Sequence, residues 1–309
     1  MRIVFLGTPD FAVPTLEALI NSKKHEILLV VTQPDKARDR GHELMPSPVK
    51  VFAKDKGLGV MQYKKIRVDG VNDLKHLSPD IMVTCAYGQI LSQEIIDIPK
   101  YGIINVHASL LPKYRGSAPI SWAVINGETK TGITLMRTES GIDTGDMLGK
   151  IEVDIDENET SGELFDRLSK LGGDLLLKGL DEIEKGAAVF TPQDESLATH
   201  ARMLKKTDGL IDFSKSAKQV KDHIRGMNPW PTAFFMFNDQ MIKVYESEIA
   251  DIEIEGQVGE VVISDCKKGL FVKCGEGVIS LNSLQYPNSK RVDAKAFLNG
   301  REIPVGTRI

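Results

Sequence analysis

The stretch Ile103-Ile104-Asn105-Val106-His107-Ala108-Ser109-Leu110-Leu111-Pro112-Lys113-Tyr114-Arg115-Gly116 decides how the chain is read. Apolar Ile103, Ile104 and Val106 interleave with Asn105 and His107, so a strand over this run carries both polar side chains on one face. Pro112 and Gly116 then end the strand in a turn. Further on, Gly141-Ile142-Asp143-Thr144-Gly145-Asp146 sets a carboxylate between two glycines, in a loop able to approach a ligand closely. An amide, an imidazole and a carboxylate suit general acid-base chemistry on a carbonyl. Asn105 and His107 would donate to the negative charge that develops, and Asp143 would orient the imidazole. Singly, each residue has an ordinary structural explanation as a turn, strand-end or core residue. Two polar residues two apart on an apolar strand, beside a Pro- and Gly-bounded loop, point to a site.

Working outward, 309 residues allow two domains, each with its own core. A content of 41% hydrophobic and 27% charged residues is that of an ordinary soluble protein. The net charge of −4 argues against blanket binding to nucleic acid, so an RNA site has to be a local patch. Cys85, Cys266 and Cys274 include no Cys-x-x-Cys pair, which disfavours both a disulfide framework and a zinc site. No metal is expected. The opening apolar run stops at Gly7, too short for a signal peptide, and no later run has membrane-spanning length. A cytoplasmic location is the expectation.

The first half alternates strands and helices, the pattern of a parallel α/β sheet with ligands at the carboxyl ends of its strands. Strands are predicted over 2–6, 26–32, 80–86, 132–136 and 146–153, and helices over 11–20, 49–56 and 161–185. Leu164, Leu168, Leu171, Leu175 and Leu176 give the last helix a core-facing stripe. Gly7-Thr8-Pro9-Asp10 lacks the spaced glycines of a dinucleotide fingerprint, which disfavours NAD. A long polar segment, 33–46, holds Lys36, Arg38 and Arg40; loops of that length in compact domains are functional or mobile. Residues 191–209 have the composition of an exposed linker. From His200 to Arg225 there are seven basic and three acidic residues, against the sign of the whole chain. After Asn228-Pro229-Trp230-Pro231 the pattern turns all β, with short alternating segments at 232–237, 241–248, 257–263, 269–273 and 277–284 and a closing helix at 292–298. Five such segments suggest a small barrel of the OB type.

The run Asn105 to Gly116 taken with Asp143 resembles the signature of formyltransferases that use 10-formyltetrahydrofolate. Gly7-Thr8-Pro9-Asp10-Phe11, Thr32-Gln33-Pro34-Asp35, Leu44-Met45-Pro46-Ser47-Pro48-Val49-Lys50, Ala86-Tyr87-Gly88 and Asn228-Pro229-Trp230-Pro231 narrow the resemblance to the methionyl-tRNA formyltransferases, over almost the whole chain. The resemblance implies a Rossmann-like parallel-sheet formyltransferase domain at 1–189, a linker at 190–208 and an OB-like tRNA-binding domain at 209–309. It implies 10-formyltetrahydrofolate as co-substrate, initiator methionyl-tRNA as acceptor, a monomer and no metal. Asn105, His107 and Asp143 take the catalytic roles. Tyr87, Gly88, Gln89, Ile90, Leu91, Ser109, Leu110, Leu111, Pro112, Thr138 and Gly141 are expected around the folate. Lys36, Arg38, Arg40, Arg202, Lys205 and Lys206 are expected on the tRNA, where phosphate contacts supply most sequence-independent affinity. Ala37 and Asp39 depart from the Pro and Gly usual in that loop. A cis Leu111-Pro112 bond is a further expectation. Two alternatives stay open at this point: a formyltransferase or hydrolase acting on a small amine or on the folate itself, and a catalytically inert RNA-binding protein.

Overall fold

The computed structural model describes residues 1–37 and 44–309. The chain divides into two compact units. The first comprises Met1–Pro119, Lys130–Val153 and Phe165–Arg202, and the second comprises Ile120–Thr129, Asp154–Leu164 and Met203–Ile309.

Short apolar runs bounded by Gly, Pro and polar turns build the seven-stranded sheet of the first unit. Its strands are β1 (Arg2–Gly7), β2 (Glu26–Thr32), β3 (Val60–Gln62), β4 (Ile81–Cys85), β5 (Ile103–His107), β6 (Lys130–Arg137) and β7 (Met147–Asp154), in the order β7-β6-β5-β4-β1-β2-β3. The first five pair in parallel. Strand β6 returns antiparallel to β5, with Ile104 opposite Arg137 and His107 opposite Thr134. The chain thus starts mid-sheet, builds to one edge and crosses back, and ligands in such sheets bind at carboxyl strand ends near that reversal. Ile3, Phe5, Val30, Val83 and Ile104 are fully buried, as strands covered on both faces require. Helix α1 (Val13–Ser22) follows a single 3-10 turn. Helix α2 (Pro48–Asp55) starts where the Ser47 hydroxyl accepts from the Lys50 N–H at 3.2 Å. Helix α3 (Ser161–Glu184) brings Leu168, Leu176 and Leu180 into the core, completely buried.

The second unit carries an antiparallel sheet of β8 (Ala233–Phe237), β9 (Gln240–Ala250), β10 (Val261–Asp265), β11 (Gly269–Lys273) and β12 (Val278–Gln285), ordered β8-β9-β12-β11-β10. Strand β10 begins later than the alternation predicts, because 257–260 form a turn: the Glu260 N–H donates to the Gln257 carbonyl at 2.9 Å. Helix α4 (Ala217–Gly226) opens with a reciprocal cap between Ser216 and Gln219. Helix α5 (Ala294–Gly300) is capped by Asp293, two residues after its expected start, since Val292 and Asp293 pair with β12 instead. Among the described residues no helix is long and apolar enough to cross a membrane.

A methyl group at Gly132 of β6 would overlap the Ile151 carbonyl oxygen on β7 and crowd Leu110. Gly132→Ala is expected to cost on the order of 2 kcal/mol, the range of overpacked interiors, and to lower the melting temperature by several degrees in a calorimetric scan.

Candidate active site

The pleat of β5 sets Asn105 and His107 on one face, as the alternation predicts, and the loop between β6 and β7 carries Asp143 to them. His107 Nδ1 lies 3.6 Å from Asp143 Oδ2, and Asn105 Nδ2 lies 3.4 Å from Asp143 Oδ1. The Gly116 N–H donates to Asp143 Oδ2 at 2.8 Å. Asp143 itself holds a left-handed backbone, φ 52°, a conformation that aspartate tolerates better than most residues. The three groups named from sequence therefore meet.

Two partners orient them. The Thr84 hydroxyl on β4 donates to Asn105 Oδ1 at 2.9 Å, which assigns Nδ2 as the edge turned to Asp143. His107 Nε2 is 3.0 Å from the Tyr114 carbonyl, which can only accept, so that nitrogen carries the proton. Nδ1 then donates to Asp143 only when the ring holds both protons. Both ring nitrogens face protein groups, an arrangement the strand pattern does not reveal. Donation to a substrate requires Nε2 to give up the Tyr114 carbonyl. The neighbouring Cys85 thiol is fully buried, and loss of solvent pushes it up to about 12, so it supplies no thiolate near neutral pH.

The residues expected around the folate fall into three groups. The Tyr87 side chain lies in the hydrophobic core of β1, β2 and β4, 4% exposed, so only its backbone could face a ligand, and its carbonyl accepts from Thr8 and Gln33. Gly88 is exposed, the Gln89 amide ties Tyr63 to Ile66, Ile90 is 69% exposed, and Leu91 packs against the core. Ser109, Leu110, Leu111 and Pro112 form the turn after β5, with Ser109 and Leu111 fully buried. There the Ser109 hydroxyl donates to the Lys113 carbonyl at 2.7 Å. Thr134 donates to the Ser109 carbonyl and accepts from the Leu111 N–H. Lys150 Nζ donates to the Leu111 carbonyl, and Leu111-Pro112 is cis, as expected. Thr138 and the exposed Gly141 begin the Asp143 loop; Thr138 Oγ1 is buried with no hydrogen-bond partner among the described residues. Thr84, Tyr114, Thr134 and Lys150 were not legible as site residues, since each acts through a contact distant in sequence or through backbone.

Of the basic residues, Lys36 is exposed on a short strand paired with Leu44–Met45. Arg38 and Arg40 lie outside the described residues. Arg202 is exposed at the end of the first unit, and Lys205 and Lys206 are exposed in the second. Within the basic run, Lys221 and Arg225 are turned inward, 7% and 8% exposed. Lys221 pairs with Glu157, and Arg225 pairs with Asp222 while donating to the Asp156 and Glu159 carbonyls. Helical spacing places them on the buried side of α4, so those two charges belong to the interior of the unit and not to a surface track.

A formyl transferase family model matches residues 1–180, and a formyl transferase C-terminal domain model matches residues 203–302. The chain belongs to the formyl transferase family. Within it, the chain is 47% identical over 310 aligned positions to the methionyl-tRNA formyltransferase of Geotalea daltonii, covering 100% of this chain and 98% of the relative. It is 45% identical to that of Acetivibrio thermocellus, over 99% of this chain and 98% of the relative. Among solved structures, a sugar 3N-formyl transferase crystallised with dTDP and 5-N-formyl-THF superposes with a TM-score of 0.68 at 20% identity, over 94% of this chain and 99% of its own. A methionyl-tRNA formyltransferase from Clostridium thermocellum gives 0.58 at 19% identity, over 82% and 95%. At those identities the two structures show the shared fold alone.

In this member of the family a second polar network sits at the carboxyl ends of β2 and β3. Lys50 Nζ donates to Asp35 Oδ2 at 2.5 Å and to Gln62 Oε1 at 2.8 Å, and Gln62 Nε2 reaches Asp35, Thr32 and the Gln33 carbonyl. The Lys50 ammonium and then the Gln62 amide hold the Asp35 carboxyl below its usual range. A depressed carboxylate contributes stability above its unfolded pKa and loses it as pH falls through the folded value. Lys50→Met is therefore expected to lower unfolding free energy at neutral pH by on the order of 1 kcal/mol. In denaturant titrations across pH, that deficit should begin to shrink below about pH 4, where the unfolded carboxyl protonates, and vanish once pH has fallen through the lower folded value.

Proposed function

We propose that this chain transfers a formyl group from 10-formyltetrahydrofolate to the α-amine of methionine on initiator tRNA, acting as a monomer in the cytoplasm. The observation that carries the reading is the convergence of Asn105, His107 and Asp143 within 3.6 Å contacts at the end of β5. Full-length relatives that bear the name methionyl-tRNA formyltransferase support the choice of acceptor.

The bound folate supplies an activated formyl group on a nitrogen that can depart. Exposed backbone at Gly88, exposed Ile90, the 109–112 turn and the unpartnered Thr138 hydroxyl fit a flat ring with polar edges. Tyr87, Gly88, Gln89, Ile90, Leu91, Ser109, Leu110, Leu111, Pro112, Thr138 and Gly141 would hold it, with Tyr87 and Gln89 contributing backbone only. Asn105 has one N–H turned to Asp143 and a second to offer to the formyl oxygen as charge builds there. His107 offers Nε2–H to the same oxygen by exchanging the Tyr114 carbonyl. Asp143 accepts from Nδ1 when the His107 ring holds both protons, and carries the proton that the amine sheds on its way to the departing nitrogen. A model α-amine titrates near about 8, so the neutral nucleophile is abundant at physiological pH and needs no strong base beforehand. Lys36, Arg38, Arg40, Arg202, Lys205 and Lys206 would take the tRNA backbone.

The test is formyl transfer from 10-formyltetrahydrofolate to methionine charged on initiator tRNA, on elongator tRNA, and to glycinamide ribonucleotide. Product on the initiator alone is expected, with Asn105→Ala and His107→Ala each lowering kcat about 10²- to 10³-fold, the effect of removing one preorganised donor. Wild-type kcat in both variants, or preferred transfer to the small amine, would sink the reading.

A further inference from the structure

Residues 191–201 have the composition of a linker, yet they are pinned into the first unit along their length. Thr191 pairs with Met147 through two 2.8 Å backbone bonds. His200–Ala201 pair in parallel with Arg115–Gly116, and Thr199 Oγ1 accepts the Tyr114 N–H at 2.8 Å. Between these anchors Gln193 reaches the Asp143 loop. Its Nε2 donates to the Asp143 and Gly145 carbonyls, both at 2.8 Å. Its Oε1 accepts from Arg115 Nε at 3.0 Å and Nη2 at 2.9 Å. The Arg115 guanidinium is 3% exposed and forks onto both oxygens of Glu195 at 2.9 and 2.7 Å. All polar atoms of the Gln193 amide are thus used, and its orientation is fixed: guanidinium on the oxygen, two carbonyls on the nitrogen.

We propose that Gln193, clamped by Arg115 and Glu195, is a positioning residue that fixes the Asp143 backbone and so aims its carboxylate at His107 and the Gly116 N–H. The inference rests on the catalytic reading of Asp143 given above. The carboxylate sits on a left-handed residue in a loop bracketed by glycines, and a loop of that kind has many alternative conformations. Binding the carbonyls on both sides of Thr144 removes them. Arg115 and Gly116 are consecutive, so the residue that clamps Gln193 is covalently next to the amide that receives the carboxylate. Gly116 is required there: at φ 116° its Cβ would lie 2.6 Å from the Ala201 carbonyl oxygen.

Gln193→Glu keeps the size and the acceptor for Arg115 but turns carboxylate oxygen toward two carbonyls; Gln193→Ala removes the clamp. In the full chain, both are expected to lower kcat for formyl transfer about 10- to 100-fold, the cost of misplacing a catalytic group by about 1 Å. On an Asp143→Ala background, adding Gln193→Ala should change kcat less than about twofold, because groups that act through one another do not add. In ¹H–¹⁵N spectra the Gly116 amide should move toward its position in Asp143→Ala, a readout that needs no turnover. Wild-type kcat in both variants overturns the proposal, as does a full multiplicative loss on the Asp143→Ala background. A wild-type chain that forms no formylated product overturns the formyl-transfer reading instead, and the Gly116 amide alone then decides the role of Gln193: an unmoved resonance rejects it.

Discussion

The candidate site in the first unit is organised around one partly buried carboxylate. Asp143 is reached by a backbone N–H from Gly116 and faces side-chain nitrogens of His107 and Asn105. Removing a carboxylate from water costs several kcal/mol unless hydrogen bonds replace its hydration, and charge-assisted bonds are the strongest replacements available. Once Asp143 must sit in the left-handed region of a glycine-bracketed loop, its donors have to come from elsewhere in the chain. They come from the same strand and turn that carry the imidazole and the amide. Satisfying the charge and assembling the site are thus the same event.

The sheet supplies what that arrangement needs in rigidity. Asn105 and His107 are two residues apart on a strand hydrogen-bonded on both sides, to β4 and to β6, so their separation is fixed by the pleat. The antiparallel return of β6 brings the loop that follows it to the sheet face where those side chains stand. After β5 the chain must turn within a few residues. Thr134 bonds two points of that turn and Lys150 a third, all from neighbouring strands. Rigid strands therefore fix the positions of Asn105 and His107, and Thr134 and Lys150 from other strands hold the turn beside them.

What the sequence disclosed and what it hid divide by range. Asn105 and His107 share a strand face as expected because a period of two is a local signal, and Asp143 reaches them from a loop that flanking glycines mark locally. Thr84, the Tyr114 carbonyl and Gln193 are invisible to periodicity, since each acts through a contact 7 to 50 residues away or through backbone. Composition is right about exposure at 191–201, where only Ala201 is buried, but it does not show that Thr191, Gln193, Thr199 and His200–Ala201 are bonded to the rest of the first unit. Lys221 and Arg225 show the converse: charge counting treats them as surface, but helical spacing turns them toward Glu157 and Asp222. The late start of β10 is a turn competing with a strand, a choice that alternation alone cannot make.

The self-satisfied state of His107 bears on how such a site favours a transition state over a substrate. Nε2 already donates to a neutral acceptor, the Tyr114 carbonyl. Trading it for the neutral oxygen of a formyl group gains almost nothing, since one neutral bond replaces another of about 1 kcal/mol. Trading it for an oxygen that carries developing negative charge gains a bond of about 1.5 to 3 kcal/mol. The difference arises only as the charge appears, a water-excluded site enlarges it to about 3 kcal/mol, and only interactions of that kind raise kcat. A His107 ring left without its own acceptor would gain the ground-state bond as well, tightening substrate binding without enlarging that difference. On this reading the Tyr114 carbonyl, which looks like a competitor for the substrate, cancels the imidazole's ground-state binding and leaves only the charge-dependent part.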